Sequence, residues 1–446
     1  MRKLWPAGTV TSILGACAIS LGILGTAAPT TATAQGRNSA LTLDEAVRRA
    51  VSWHPSINEA IGRLNQRGEQ INVAKSGYYP RVRGGVNSGY DSTDQDGWRP
   101  RFNLGASQMI YDFGKVSSSV EAAEAGQNIS RAQLLLAVDQ LIRETAAAVI
   151  EVQRNRALRG VAEDQVAGVL VISKLVKQRS DKGASTRSDE IQAEARVQAA
   201  QSTVLQIEAE LNRWQSSLAH LVGGQGPFLV SANVPKWLRG ACDTRTMDWS
   251  RVPAMMRAEW QRKEALAQLD ESRAQVFPTL SLEAGVGYDL NQHRDASRDP
   301  EFTIGLNFTG NLYEGGAGAA RRNAAAHALS AASAALDNAR FEVRRSLSEA
   351  SSQISGLSRL LGSLSARDGM MRETRDLYRQ QYVELGTRTL LDLLNAEQEL
   401  HAARFDTANT VHDLRRLGME CVFNSGLSRE VFALKGMVVK GVALQP

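Results

Sequence analysis

The chain has 446 residues, of which 43% are hydrophobic and 22% charged, and it carries a net charge of +5. This hydrophobicity excludes a wholly disordered chain, and after residue 34 no stretch of roughly 20 mostly apolar residues remains to form a membrane-spanning helix. Lys and Arg (52) nearly balance Asp and Glu (47), so composition gives no reason to expect a nucleic-acid partner.

Residues 1–34 open with Met1-Arg2-Lys3, continue through a mostly apolar run, and end in Ala32-Thr33-Ala34. A basic start, an apolar centre and small residues before a cleavage point make a secretory signal peptide, cleaved after Ala34. Two other readings stand beside it: an uncleaved membrane anchor, and a lipoprotein signal at Leu14-Gly15-Ala16-Cys17. Against the lipoprotein, the residues after Cys17 stay apolar. An exported chain then retains two cysteines, Cys242 and Cys421. They are candidates for a disulfide, although sequence does not establish their distance.

The prolines divide the rest. Residues 101–226 and 301–445 contain none, and proline disrupts helix interiors by removing a donor and clashing with the preceding turn. Two long helical tracts follow. Self-similarity runs through both halves. Tyr79-Pro80 matches Phe277-Pro278, Tyr90-Asp91 matches Tyr288-Asp289, and Tyr111-Asp112-Phe113-Gly114 matches Tyr313-Glu314-Gly315-Gly316. Gly183, Asp189 and Glu194 likewise match Gly386, Asp392 and Glu397. The repeats are assigned to 35–223 and 250–426, with a linker at 224–249 and a tail at 427–446.

Each repeat reads as helix, strand pair, very long helix, turn, helix. In the first, strands are expected at about 81–91 and 101–111, then helices at about 115–182 and 186–222. In the second, strands are expected at about 279–288 and 301–312, then helices at about 317–385 and 389–422. Leu280, Leu282, Ala284, Val286 and Tyr288 alternate with polar or small residues, as do Phe302, Ile304, Leu306 and Phe308. That period of two is the strand signal. Polar hairpins at Asp91–Pro100 and Asp289–Pro300 join the pairs. Strands of about ten residues suit a tilted membrane span, but equally a sheet on a soluble core. If they cross a membrane, four strands cannot close a barrel, and several chains must share one.

In the second long helix, positions 347, 350, 354, 357, 361, 364, 368, 371, 375, 378, 382 and 385 alternate spacings of three and four. They are apolar or aromatic except for Asp368 and Arg375. This is a coiled-coil seam. Leu134, Val138, Leu141, Ala148 and Val152 carry the same rhythm in the first. At 1.5 Å per residue each helix reaches roughly 100 Å, wider than any single globular core. Gly183 and Gly386 end these helices in the manner of left-handed C-caps. Thr186 and Thr389 follow as N-caps, with Asp189 and Asp392 in the next first turn. Capping accounts for these residues locally; a further role depends on where the turns sit in an assembly.

Catalytic chemistry finds no support. The six histidines show no metal-ligand spacing, and no Gly-x-Ser-x-Gly or phosphate-loop motif occurs. Neither an enzyme nor a cofactor is expected.

Several phrases together resemble the TolC family of outer-membrane channel proteins across nearly all of residues 41–430. They are Leu41-Thr42-Leu43-Asp44-Glu45-Ala46-Val47 with His54-Pro55, the aromatic-Pro before each strand pair, Tyr111-Asp112-Phe113-Gly114 with its copy, and the run from Gly386-Thr387-Arg388-Thr389 through Asp392 and Asn395 to Leu400. The last is most similar to the branch serving type I protein secretion. The resemblance implies an α+β outer-membrane efflux protein fold. Long coiled-coil helices would form a periplasmic α-barrel, and four strands per chain would enter a 12-strand barrel of a homotrimer in outer-membrane lipid. It places the turns at 183–189 and 386–392, with Gly183, Thr186, Gly386, Thr387 and Thr389, at the periplasmic tip. There they would face a periplasmic membrane-fusion adaptor and an inner-membrane ABC exporter or proton-driven pump. It gives Arg388 a closing bond near Ser188 and Asp189, and places Asp392 in the pore constriction. Asn395 stands where some members carry a second aspartate, so the implied ring has less charge and weaker cation block. The leading expectation is a passive exit duct for type I secretion. The alternatives are the outer-membrane component of a tripartite drug or small-molecule efflux pump, and a soluble periplasmic coiled-coil adaptor.

Overall fold

The computed structural model describes residues 40–90, 98–242, 247–290 and 300–444. The expected signal peptide at 1–34 with Cys17, most of both hairpin segments, and residues 445–446 lie outside the described residues. Along the chain run α1 (Leu43–Trp53), α2 (Pro55–Lys75), β1 (Arg81–Tyr90), β2 (Trp98–Tyr111), α3 (Lys115–Asp181) and α4 (Arg187–Val222). After the linker come α5 (Pro253–Ala274), β3 (Thr279–Asp289), β4 (Glu301–Thr309), α6 (Ala317–Gln380) and α7 (Leu390–Asn424). The chain closes with the short α8 (Ser428–Val431) and the paired β5 (Val438–Val439) and β6 (Val442–Ala443).

The phrase His54-Pro55 separates α1 from α2. His54 is extended, its ring nitrogen accepts from the Ser56 amide, and Pro55 opens the next helix, where its missing donor costs nothing. The motif Tyr111-Asp112-Phe113-Gly114 turns strand into helix. Asp112 Oδ1 accepts from the Gly114 amide at 3.0 Å and Oδ2 from the Val116 amide at 2.7 Å. Gly114 takes φ +94°, a conformation that other residues adopt only with strain. Phe113 packs edge-on to Tyr111 and face-on to Phe277, with centroids 4.7 and 5.1 Å apart, so one junction leans on the other repeat.

The four long strands form one antiparallel sheet in the order β1-β2-β3-β4. The central pairing of β2 with β3 joins the two repeats, with Leu104 opposite Val286 and Ala106 opposite Ala284. A bulge between Met109 and Tyr111 ends the strict alternation, so Ile110 has no register partner in β3. One expectation is corrected here. Pro100 does not close the hairpin but lies inside β2, opposite Ser88. It is two residues from the strand start, a place where a missing donor is tolerated.

α3 packs against α2, α4, α5 and α7, and α6 packs against α5 and α7. The largest core surrounds the middle of α3. Leu134, Val138, Leu141, Ala148 and Val152 meet α1, α2, the end of α4, linker residues Val230 and Leu238, and tail residues Phe432, Leu434 and Leu444. Asp139 is fully buried there, with Arg429 Nε at 3.1 Å from its carboxylate. Burial pushes its pKa up to about 7, against the opposing pull of Arg429.

The α6 seam is largely buried or half-buried, and both polar interruptions find partners: Asp368 accepts from Arg404 at 3.0 Å, and Arg375 approaches Glu397 at 3.8 Å. The seam does not reach 385. Residues Gln381–Leu385 form one π-helical turn, which winds in an extra residue. Tyr382 keeps its seam position, 5% exposed, while Leu385 leaves it and is 66% exposed. Cys242 and Cys421 are disulfide-bonded, with Cα atoms 5.2 Å apart, tying the linker to α7.

Candidate functional site: the helix turns and the sheet faces

The turns between the long helices are built alike. After α3, Gly183 takes φ +72° and its amide donates to Ser180 O at 2.9 Å, while Ala184 N donates to Arg179 O at 2.8 Å. These bonds satisfy the last carbonyls of the helix. Thr186 Oγ1 then accepts from the Asp189 amide at 3.2 Å, and Asp189 Oδ2 accepts from the Thr186 amide at 3.0 Å and from Ser185 Oγ at 2.8 Å. This is a capping box in which the acid is Asp. The Thr186 amide, then the Ser185 hydroxyl, hold the Asp189 carboxyl below the ordinary carboxylate range.

The second turn repeats the scheme after the π-helical turn. Gly386 takes φ +61°, and Thr387 N donates to Gln381 O at 3.3 Å. Thr389 Oγ1 accepts from the Asp392 amide at 3.2 Å, and Asp392 Oδ2 accepts from the Thr389 amide at 3.2 Å. The Thr389 amide is the main cause that lowers the Asp392 pKa, with its hydroxyl next and Arg388 contributing.

Within one chain, Arg388 is engaged locally. Its Nε donates to Gln381 Oε1 at 3.1 Å, and its guanidinium lies 4.3 Å from the centre of the Tyr378 ring. Among the described residues of a single chain no ion pair joins it to Asp189. Ser188 is exposed in the first turn of α4, and Asn395 is exposed one turn beyond Asp392.

The structure adds residues that motif reading passed over. Arg179 Nη1 donates to Tyr382 O at 3.0 Å, and its guanidinium lies 4.8 Å from the Tyr382 ring centre. Tyr382 packs with Val169, Ile172 and Val176 of α3, Ala193 and Val197 of α4, and Leu390, Leu393 and Leu394 of α7. Arg196 donates to Gln398 at 2.9 Å, crossing from α4 to α7. The two hairpins are thus bound side by side near their turns. The seam register pointed to Tyr378 and Tyr382; nothing in the sequence singled out Arg179.

The sheet has two unlike faces. Val82, Val86, Phe102, Leu104, Phe302, Ile304, Leu306 and Phe308 share one face by register and are all exposed, Ile304 at 79%. The opposite face carries Arg81, Arg83, Asn87, Arg101, Asn103, Ser107, Glu283, Asp289, Glu301 and Asn307. Water on the polar side and hydrocarbon on the other is the pattern of a membrane barrel strand. Among the described residues no helix is long and apolar enough to cross a membrane, and no group of His, Cys, Asp or Glu could hold a metal ion.

A family model described as outer membrane efflux protein matches residues 46–224 and 249–415. Outer membrane efflux protein BepC of Brucella suis biovar 1 (strain 1330) is 23% identical over 84% of this chain and 82% of its own length. Alkaline protease secretion protein AprF of Pseudomonas aeruginosa is 23% identical over 57% of this chain and 55% of its own. Among solved structures, the outer membrane protein VceC of Vibrio cholerae superposes with a TM-score of 0.75 at 18% identity. That match covers 86% of this chain and 96% of that one, and shows a shared fold.

Proposed function

Because this chain belongs to the outer membrane efflux protein family, we propose that it is the passive exit duct of a type I, ABC-transporter-driven protein secretion system. It lies in the outer membrane and extends into the periplasm, and it is a channel, not an enzyme.

The observation that carries the proposal is the open four-stranded sheet with one exposed apolar face. Backbone groups unpaired in hydrocarbon cost several kcal/mol each, so a membrane sheet must close, and closure begins near eight strands. Three chains pairing β4 of one with β1 of the next supply twelve. Outer-membrane lipid covers the apolar face and water fills the inside. The helices continue as a periplasmic tube whose far end carries the turns at 183–189 and 386–392, facing a membrane-fusion adaptor and an inner-membrane ABC exporter. In the closed trimer Arg388 leaves its local partners for Ser188 and Asp189 of the neighbouring hairpin. Asp392 rings the constriction, and Asn395 beside it adds no charge.

The run Gly386–Leu400 and the similarity to a protein named for alkaline protease secretion, AprF, favour protein secretion; the similarity to a protein named for efflux, BepC, favours a second reading, a tripartite efflux pump with a proton-driven partner. A photo-crosslinking residue at position 188 or 387 separates them. Capture of an ABC exporter with its adaptor supports secretion, and capture of a proton-driven pump supports efflux. Recovery of the chain as a soluble periplasmic monomer refutes the duct.

A further inference from the structure

Among the side chains described on the polar face of the sheet are three arginines and three acids, and they are not evenly matched. Arg101 sits near the hairpin end and is shared by two carboxylates: it bonds Glu301, and its Nε lies 4.0 Å from Asp289. Arg81 and Arg83 sit at the other end of the sheet, next to the helices. Both are exposed, and neither has an ion pair or side-chain hydrogen bond among the described residues.

Within one chain, two distances separate them from the acids of the sheet. Arg83 is opposite Gly105, four residues along β2 from Arg101, which is about 13 Å at the strand rise. That exceeds the Debye length of about 8 Å in physiological salt. The nearest acid by register is Glu283, opposite Ser107, which in turn is opposite Arg81. It lies two strands away, about 10 Å, and its carboxylate accepts from Asn307 Nδ2 at 2.9 Å, on the β4 side. Toward the helices the polar face therefore carries two arginines, Arg81 and Arg83, against one acid, Glu283, which is turned to β4.

We propose that Arg81 and Arg83 form a basic collar at the periplasmic end of the barrel lumen, which transiently holds carboxylate-rich segments of the cargo. This rests on the duct reading, because only closure of the sheet turns two arginines per chain into a ring facing one passage. A ring of guanidinium groups in a confined lumen raises the local concentration of anions, and guanidinium matches carboxylate through paired donors. The occupant is an acidic peptide segment: the collar lies on the water-filled face, away from the lipid-facing side where headgroups would reach it.

The test uses the full-length trimer in nanodiscs and a fluorescent hexaglutamate peptide, read by anisotropy. Saturable binding is expected in about 0.1 M salt and should vanish in about 1 M salt, where the Debye length falls to about 3 Å. R81Q/R83Q should weaken binding about tenfold, a modest value because each exposed pair contributes little. R81K/R83K should restore most of it. A wild-type trimer that ignores hexaglutamate, binds hexalysine equally well, or loses nothing in R81Q/R83Q overturns the collar alone. A wild-type chain that forms no trimer overturns the duct reading and the collar together.

Discussion

Tyr382→Ala tests whether the turns are held by the buried tyrosine that joins the two hairpins. Tyr382 is 5% exposed among eight buried apolar residues of α3, α4 and α7. Truncating a buried aromatic costs about 3–5 kcal/mol. The site lies where helices end and neighbours can partly collapse, so the lower end, about 3 kcal/mol, is appropriate. Loss of the Arg179 guanidinium over the ring, at 4.8 Å, adds about 0.5–1 kcal/mol. The bond from Arg179 to the backbone oxygen of Tyr382 does not depend on the side chain and survives. The sum is about 3–4 kcal/mol, or a factor of about 10²–10³ in local opening. Hydrogen exchange followed by mass spectrometry reads this directly. Peptides spanning 378–394 and 172–179 should exchange about 10²-fold faster, while peptides of the α3 core near Leu141 stay unchanged. Tyr382→Phe should remain close to wild type. Exchange at the turns within twofold of wild type, or a uniform rise along the whole chain, would refute the reasoning.

Arg388→Ala and Asp189→Ala should each raise the single-channel conductance of the purified trimer, and no change in either removes the proposed gate. The effect per chain is small, since exposed pairs contribute about 0–1 kcal/mol, and threefold repetition amplifies it. Acid should loosen the same turns. Asp189 and Asp392 have folded pKa values below the ordinary carboxylate value, so their capping contribution is complete above about pH 4 and is lost as pH falls through the lowered value. Far-UV circular dichroism and conductance between pH 7 and 3 should show this loss, and D189N/D392N should flatten it. Finally, C242S/C421S removes a bond spanning 179 residues and should lower stability by about 2–4 kcal/mol. A melting temperature unmoved in the double variant would show that the bond adds nothing to the fold.

How far the sequence reaches differs between the sheet and the turns. The alternation of Leu280 to Tyr288 and of Phe302 to Phe308 is enough to give each strand two unlike faces, because successive side chains on a strand must point oppositely. Gly183 and Gly386, each followed by Thr and then Asp three residues later, announce their turns because caps are local chemistry, complete within seven residues. The seam through Leu347, Leu364 and Tyr378 likewise follows from helical periodicity alone.

What lies between segments is different. No local rule ends α6 at Gln380 in a π-helical turn, which takes Leu385 out of the seam. Nor does any rule place Arg179 against a tyrosine 203 residues away, or set Pro100 opposite Ser88. The surroundings of Arg81, Arg83 and Arg101 on the sheet depend on register, because only pairing tells which carboxylate an arginine can reach. Sequence by itself therefore determined the elements, their amphipathic faces and their caps, whose causes act within a few residues of the chain. Tertiary structure alone decided which arginines are paired, which of them meets Tyr382 and how far the seam runs. Those outcomes are set by distances between segments far apart in the chain.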